Sequence, residues 1–329
     1  MDRQIIGTMK AWTIRHFGGG EAMSLDDLPK PAPAAGEVLV RIAYAGVNPV
    51  DWKIREGMMR QVFQHDFPLT LGWDAAGVVE ACGADVADFR PGDRVFGYCR
   101  EYGKPAGKGT YAQYIAVPAH LLARVPDRIS LAEAAALPAP FLTAWQSLVA
   151  TAALAAGESV AILGAAGGVG SVAIQVATAR GARVIAVSRA ESHDYVRSLG
   201  APQVVGYDAS GLAGAVKGVE AGGVDVVFDC IGGAALDGAY DLVKPGGRLV
   251  TIVGTPDTER AARLGITASR VVARSQPEHL AAMTVMVERG ELRPPRLQVM
   301  ALAEAVAALD LSRTGTVRGK IVLEVEKID

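Results

Sequence analysis

Apolar positions follow two different textures along this chain. Between residues 9 and 125 they form short runs, Val38-Leu39-Val40-Arg41-Ile42-Ala43, Ala76-Gly77-Val78-Val79-Glu80 and Asp93-Arg94-Val95-Phe96, divided by PAPAAGE, ACGAD and FRPGD. Valine-rich runs bounded by Gly and Pro predict strands and turns, hence a small barrel. From about Ala132 the texture changes: SVAIL, RVIAVS, VDVVFD and RLVTIVG are separated by apolar segments of helix length. That alternation predicts βαβ units around a parallel sheet. From about Pro295 the β texture returns and ends in KIVLEV, so the last strand is expected to rejoin the first domain.

Composition narrows the class. A length of 329 residues suits two domains or one large one. The net charge is -2 with no basic block, which gives a nucleic-acid partner no electrostatic footprint. Cys82, Cys99 and Cys230 lie too far apart for a zinc knuckle or a disulfide framework, as expected of a reducing compartment. MDRQIIGTMKAW lacks the apolar core of a signal peptide. The uncharged stretch from Ala134 to Gly157 is long enough to span a bilayer, but Pro138 and Pro140 interrupt it and Thr143, Gln146, Ser147 and Thr151 dilute it. It reads as a buried helix opened by proline, and the protein as cytoplasmic, with no membrane partner.

Val160–Leu163 reads as a buried strand and Val169–Arg180 as a helix ending at Gly181. Between them Gly164-Ala165-Ala166-Gly167-Gly168-Val169-Gly170 packs four glycines into seven positions. The fingerprint G-x-G-x-x-G aligns from Ala165 as A-x-G-x-x-G. Gly167 lets the backbone approach a pyrophosphate stabilised by helix N-terminal amides, and Gly170 lets helix and strand pack closely. Glycine clusters also serve ordinary turns; strand, hinge, helix and second strand in order favour the cofactor reading. An NAD site calls for Asp or Glu about 20 residues on, whereas this second strand ends in Val187-Ser188-Arg189 with nothing acidic before Glu191. Ser188 can donate to a phosphate and the forked Arg189 guanidinium suits one, so NADPH is preferred over NADH. The alternative for Arg189 is a solvated loop residue. Tyr207 is a further candidate to close the phosphate pocket.

The segments AGVNPVDWKIREG (45–57), LGWDAAGVVEACGADV (71–86), PGDRVFG (91–97), GTYAQYIAVP (109–118), AAALPAPFLTAWQSL (134–148), GAAGGVGSVAIQVA (164–177), VDVVFDCIGG (224–233), LVKPGGRLVTIVG (242–254) and RGKIVL (318–323) occur in family order from Met9 onward. Together they resemble the zinc-independent quinone oxidoreductase (zeta-crystallin-like) branch of the medium-chain dehydrogenase/reductase superfamily. The resemblance implies an α/β plus β fold in three stretches. Residues 1–125 form the N-terminal part of a GroES-like β-barrel catalytic domain, 126–280 a Rossmann NADP-binding domain with a doubly wound parallel sheet, and 281–329 the return to the catalytic domain. It also implies a homodimer through edge pairing of Rossmann sheets. Cofactor contacts are implied from the Gly164–Gly170 hinge, Cys230, Val253, Gly254, Arg318 and Lys320.

Zinc alcohol dehydrogenases place a Cys ligand where this chain has Asn48, and a His-Glu pair where it has Trp73-Asp74. The region of their four-Cys lobe, around Gly97 to Gly109, holds only Cys99. A catalytic zinc needs about three protein ligands. None of the five histidines fills the gap, His65 reading as a solvated loop side chain, so no metal is expected. Without that Lewis acid, alcohol–aldehyde interconversion loses its support. A quinone or α,β-unsaturated carbonyl, which delocalises charge, asks only for alignment, dryness and a hydrogen bond.

The resemblance implies that Asn48 binds the nicotinamide ribose or the substrate; the alternative is a turn residue before Pro49. Asp51 is expected to orient its neighbours. Thr143 matches a position that touches the nicotinamide, against a helix-start hydroxyl. Lys320 either reaches the cleft from the last strand or is a charged edge-strand residue. Relatives carry tyrosines just after the Asn motif where this chain has Lys53 and Met59, so no general acid is assigned. Met58, Met59, Val62, Phe63 and Phe67 either line an apolar acceptor pocket or belong to the core. The leading expectation is an NADPH:quinone oxidoreductase and the second an NADPH-dependent alkenal or enone reductase. The third, a non-enzymatic NADPH-binding or RNA-binding crystallin-like protein, is disfavoured for RNA by the near-neutral charge.

Overall fold

In the computed structural model, which describes residues 7–62, 64–100, 108–206 and 211–328, the chain forms two compact units. The first comprises Met1–Ala139, Arg274–Glu288 and Pro294–Asp329, and the second Pro140–Ala273 and Arg289–Arg293.

The first unit opens with strands β1 (Thr8–Ile14), β2 (Met23–Pro29), β3 (Glu37–Gly46) and β4 (Leu69–Thr70). β5 (Asp74–Cys82), β6 (Arg94–Tyr98), β7 (Tyr114–Pro118) and β8 (Leu122–Arg124) follow. β3 is the hub. One edge pairs β5, and the other is shared between β7, along Glu37–Arg41, and the chain's last strand, along Tyr44–Gly46. Its run EVLVRIAYAG is buried at most positions because neighbours cover both faces. Helix α1 (Pro49–Arg55) follows directly, anchored by the buried Arg55 guanidinium, 2.9 Å from Asp310 Oδ1. Helix α2 (Leu131–Ala135) packs on β3 and β5, which keeps the residues up to Ala139 with this unit, beyond position 125.

The second unit begins within helix α3 (Pro138–Trp145) and continues with β9 (Ser159–Leu163), helix α4 (Gly168–Ala179) and β10 (Arg183–Ser188). β11 (Gln203–Gly206), β12 (Val224–Asp229), β13 (Val243–Thr251) and β14 (Thr267–Arg270) complete a parallel sheet in the order β11-β10-β9-β12-β13-β14. Every residue of β9 and β12 is buried, as befits the central strands of a doubly wound sheet. Leu163, Val187, Val227 and Leu249 share one core with Tyr240. The chain then returns to the first unit through β15 (Leu297–Ala301) and β16 (Lys320–Glu324), with β16 antiparallel to β3 and parallel to β15. The expected β unit and parallel-sheet unit are both present. No helix among the described residues is long and apolar enough to cross a membrane.

The N-terminal ends of three sheet strands are stapled by one carboxylate. Asp225 on β12 accepts from the Ser159 backbone N–H and hydroxyl on β9, each at 2.9 Å, and pairs with Lys244 on β13. Burial alone would raise this carboxyl, but Lys244 and Ser159 outweigh it and hold it at about 2. Against an unfolded value near 3.9, that depression contributes about 1–2 kcal/mol. The contribution is complete above pH 4 and is lost as pH falls through the folded value. Asp225→Asn therefore lowers stability in chemical unfolding at pH 7, and the gap to the parent closes between pH 4 and pH 2.

Candidate functional site

In the first unit the site starts where β3 ends. Asn48 precedes a proline, whose ring disfavours helical backbone before it, and is extended (φ −118°, ψ 147°). Pro49 then opens α1, where its missing N–H costs nothing. Asp51 folds back over the helix start. Its Oδ2 accepts from the Asn48 backbone N–H (2.7 Å) and from the Tyr111 hydroxyl (2.8 Å).

That leaves the Asn48 side chain free of capping duty, and it meets two distant residues. Its Nδ2 donates to Asp74 Oδ2 at 2.9 Å, and its Oδ1 accepts from the Lys320 ammonium. Asp74 also accepts from the Ala139 backbone N–H at 3.0 Å, and its Oδ2 lies 3.5 Å from Lys320 Nζ. Asn48, Asp51, Asp74 and Lys320 are each at most 7% exposed. The partners fix the carboxamide's orientation, oxygen to the cation and nitrogen to the anion. A carboxamide nitrogen carries two hydrogens. Asp74 takes one, and among the described residues nothing takes the other.

Burial pushes the Asp74 carboxyl up, against the pull of Lys320 and Asn48, and pushes the Lys320 ammonium down, against Asp74 and Asp51. Asp51 rises to about 7, because burial and the nearby Asp74 outweigh its hydrogen bonds from Asn48 and Tyr111 and the Lys320 charge. Its second oxygen is sealed without a partner, which costs less on a neutral carboxyl than on a charged one.

In the second unit the candidates gather at the carboxyl ends of four parallel strands. The glycine hinge follows β9, Ser188 and Arg189 close β10, Cys230 follows β12, and Val253 and Gly254 follow β13. The strand order reverses between β9 and β12, the place where such sheets leave a crevice. Two bonds tie the loops to neighbouring strands: Ala165 N–H donates to Val187 O (3.0 Å) and Cys230 N–H to Leu163 O (3.2 Å). Gly164 holds φ at +79°, and α4 begins at Gly168 with Gly167 as its cap residue and no side-chain cap. A Cβ on Gly170 would sit 2.2 Å from Gly164 O, whereas one on Gly167 would meet nothing nearer than Gly164 O at 3.4 Å. The first glycine serves helix–strand packing; the second leaves a cradle open over uncapped amides. A dinucleotide pyrophosphate fits such a cradle. Ser188 is buried and Arg189 exposed.

Several expectations change. Lys320 is not on an edge strand, since β16 is flanked by β15 and β3; the buried pairing with Asp74 and Asn48 is what fixes it. Met58, Val62 and Phe67 are 59%, 49% and 41% exposed and so are not core. His65 is half-buried rather than solvated, its ring edge-on to Phe17 with centroids 5.4 Å apart. Thr143 is half-buried and sits inside α3 rather than at its start, in the second unit, and Arg318 is exposed just before β16 in the first. Tyr207 and Phe63 lie outside the described residues. Asp74, Tyr111 and Tyr98 went unassigned in the sequence. Tyr98 directly opposes Asp74 in the antiparallel β5–β6 register, a relation that PGDRVFG signals only once those strands are paired.

Residues 34–127 match the alcohol dehydrogenase GroES-like domain family, and residues 199–323 the zinc-binding dehydrogenase family. The chain is 36% identical, over 95% of its length, to the spectinabilin polyketide synthase system protein NorB of Streptomyces orinoci, of which it spans only 14%. It is 34% identical to the chloroplastic NADPH-dependent alkenal/one oxidoreductase of Arabidopsis thaliana, covering 89% of this chain and 73% of that one. It is 31% identical to the quinone oxidoreductase of Lama guanicoe, covering 96% and 97%. The solved quinone oxidoreductase of Coxiella burnetii superposes with a TM-score of 0.84 at 29% identity, covering 97% of this chain and 100% of that one.

A zinc ion, which the second family's description implies, does not fit this donor set. Among the described residues no group of three His, Cys, Asp or Glu converges. Beside Asp74 stand an amide and an ammonium, and the ammonium would repel a dication.

The two hinge glycines are separable by experiment. Gly170→Ala loses about 1–3 kcal/mol in chemical unfolding, because its methyl meets backbone. Gly167→Ala keeps the parent's melting temperature but weakens nicotinamide dinucleotide binding at least about tenfold in a fluorescence titration, because its methyl projects into the cradle.

Proposed function

The chain belongs to the quinone oxidoreductase branch of the medium-chain dehydrogenase/reductase superfamily and is a nicotinamide-dependent oxidoreductase of small molecules; within that frame we propose that it is an NADPH-dependent, zinc-independent reductase that transfers hydride to a quinone. The observation that carries this reading is the Asn48 carboxamide, clamped between Lys320 and Asp74 with one N–H to spare. A neutral, preoriented donor suits an acceptor whose charge spreads over a conjugated system. It would serve a localised alkoxide poorly.

The bound nicotinamide supplies the hydride. Uncapped amides at the start of α4 hold the pyrophosphate, with Gly164, Ala165, Ala166, Gly167, Gly168, Val169 and Gly170 shaping the cradle. Ser188 and Arg189 take the 2′-phosphate. Cys230, Val253 and Gly254 contribute from the neighbouring loops, and Arg318 and Thr143 touch the cofactor. Asn48 directs its remaining N–H at the nicotinamide ribose or the acceptor. Asp51 acts through Asn48 as a positioning residue, and Lys320 holds the carboxamide oxygen.

A second reading, reduction of the carbon–carbon double bond of an alkenal or enone, draws support from the 34% identity to an alkenal/one oxidoreductase. It keeps the same site and differs in where hydride lands. We also propose a homodimer joined at β14, which ends the six-stranded sheet with an unpaired edge among the described residues.

NADPH oxidation followed by absorbance, with an ortho-quinone and an alkenal run side by side after chelator treatment, gives faster turnover of the quinone and no loss on chelation. Faster alkenal turnover moves the chemistry to double-bond reduction. Arg189→Ala lowers the preference for NADPH over NADH by about tenfold or more; an unchanged ratio removes the phosphate clamp. Light scattering gives twice the chain mass, and a monomer mass rejects the β14 pairing.

A further inference from the structure

We propose that the Tyr98 hydroxyl donates a hydrogen bond to the carbonyl oxygen of the acceptor, where negative charge collects as hydride arrives. The inference rests on the reductase reading above and assigns the donor that the sequence left unassigned at Lys53 and Met59.

Register comes first. Tyr98 ends β6 and lies directly opposite Asp74 on β5, so in an antiparallel pair the two side chains share one face of the sheet. That face carries Asp74's bonds to Asn48 and Lys320. The Tyr98 ring is held edge-on to Trp73, with centroids 5.7 Å apart at 75°. Trp73 is itself in cation–π contact with Arg100, 5.3 Å from the ring centroid. The phenol is thus fixed by its ring and does not depend on its hydroxyl for position.

The hydroxyl is the unexplained part. Tyr98 is only 5% exposed, and a buried tyrosine ordinarily finds a partner for its O–H. Tyr111, the other buried tyrosine of this cluster, donates to Asp51. Among the described residues the Tyr98 hydroxyl has no hydrogen-bond partner. It is an unpartnered donor on the sheet face that carries Asp74, the residue to which Asn48 gives its other N–H. Burial, with Asp74 and Asp51 nearby, raises its pKa well above the ordinary phenol value against the opposing pull of Arg100. At working pH it therefore remains a neutral O–H donor.

The step balances simply. A hydride from the reduced nicotinamide forms a new C–H bond on the acceptor, and the displaced electron pair moves to the carbonyl oxygen. Tyr98 and Asn48 hydrogen-bond that oxygen, and water supplies the proton; with an enone this completes the product, and with a quinone loss of a proton from the reduced ring carbon and protonation of the second oxygen give the hydroquinone. The nicotinamide is oxidised and the acceptor reduced.

Tyr98→Phe keeps the ring and its contact with Trp73 while deleting only the donor. The full-length variant and parent are compared for NADPH binding by fluorescence and for turnover of an electron-poor quinone and of an enone. Expected are an unchanged NADPH affinity and a kcat reduced about 10²-fold with the enone, whose charge sits largely on oxygen. The loss is smaller with the quinone, whose charge is more dispersed. A merely structural role predicts equal losses with both acceptors, and that result overturns the assignment, as does parental kcat with both. A parent that reduces neither acceptor overturns the reductase reading itself, and the inference with it.

Discussion

The buried pairing of Lys320 with Asp74 is the constraint on which the first unit depends. Taking either charge out of water costs several kcal/mol, and attraction in the interior offsets this only when hydrogen bonds occupy the remaining sites. Asn48 and the Ala139 backbone N–H supply those bonds. Asp74 stands at the start of β5 and Lys320 at the start of β16, far apart in sequence, so the chain's return beside β3 is an electrostatic requirement as well as a hydrophobic one. Without β16, Asp74 would be a buried carboxylate facing an amide and a single backbone donor. The same pairing orients Asn48, so the fold's closure and the site's orientation have one cause.

The second unit holds charge differently. One side-chain staple, Asp225 with Ser159 and Lys244, lies at the N-terminal ends of β9, β12 and β13. The opposite ends of those strands carry loops rich in glycine, where backbone amides present the positive partial charge. The carboxyl ends carry a staple of their own: Asp229, at the end of β12, accepts from the Thr251 hydroxyl at the end of β13 (2.7 Å) and from the Gly232 backbone N–H (3.0 Å), which sets the loop that follows β12. A glycine hinge gives an anion close access to amides that no side chain could offer without filling the space.

Much of this was legible along the chain. RVIAVS and VDVVFD form β10 and β12 at the positions their apolar runs mark, and the hinge lies between β9 and α4 as its spacing demands. These features are local: each depends on a few consecutive residues. What escaped depends on register. Lys320 looks like an edge residue because a charge in a terminal strand is usually solvated, and only the pairing of β16 with both β15 and β3 buries it. Tyr98 carries no signal of its own in PGDRVFGY, since its meaning comes from standing across from Asp74. Met58, Val62 and Phe67 are apolar enough to be core, yet their loop leaves them exposed, and hydrophobicity alone does not distinguish the two outcomes.

If the proposed reduction takes place beside Asn48, these charges also constrain its acceptor. Lys320 is a cation, but it is committed to Asp74 and to the Asn48 oxygen, so the pair brings little net positive charge to an incoming acceptor. Asp51, with its pKa near 7 and its Oδ2 occupied, adds none. Charge developing on an acceptor must therefore be met by neutral hydrogen bonds from fixed side chains, each effective because it needs no reorganisation when the charge appears. Neutral donors stabilise a dispersed anion adequately and a concentrated one poorly. Under the proposed function, the ammonium that keeps Asp74 buried thus also steers the site toward acceptors that spread their own charge.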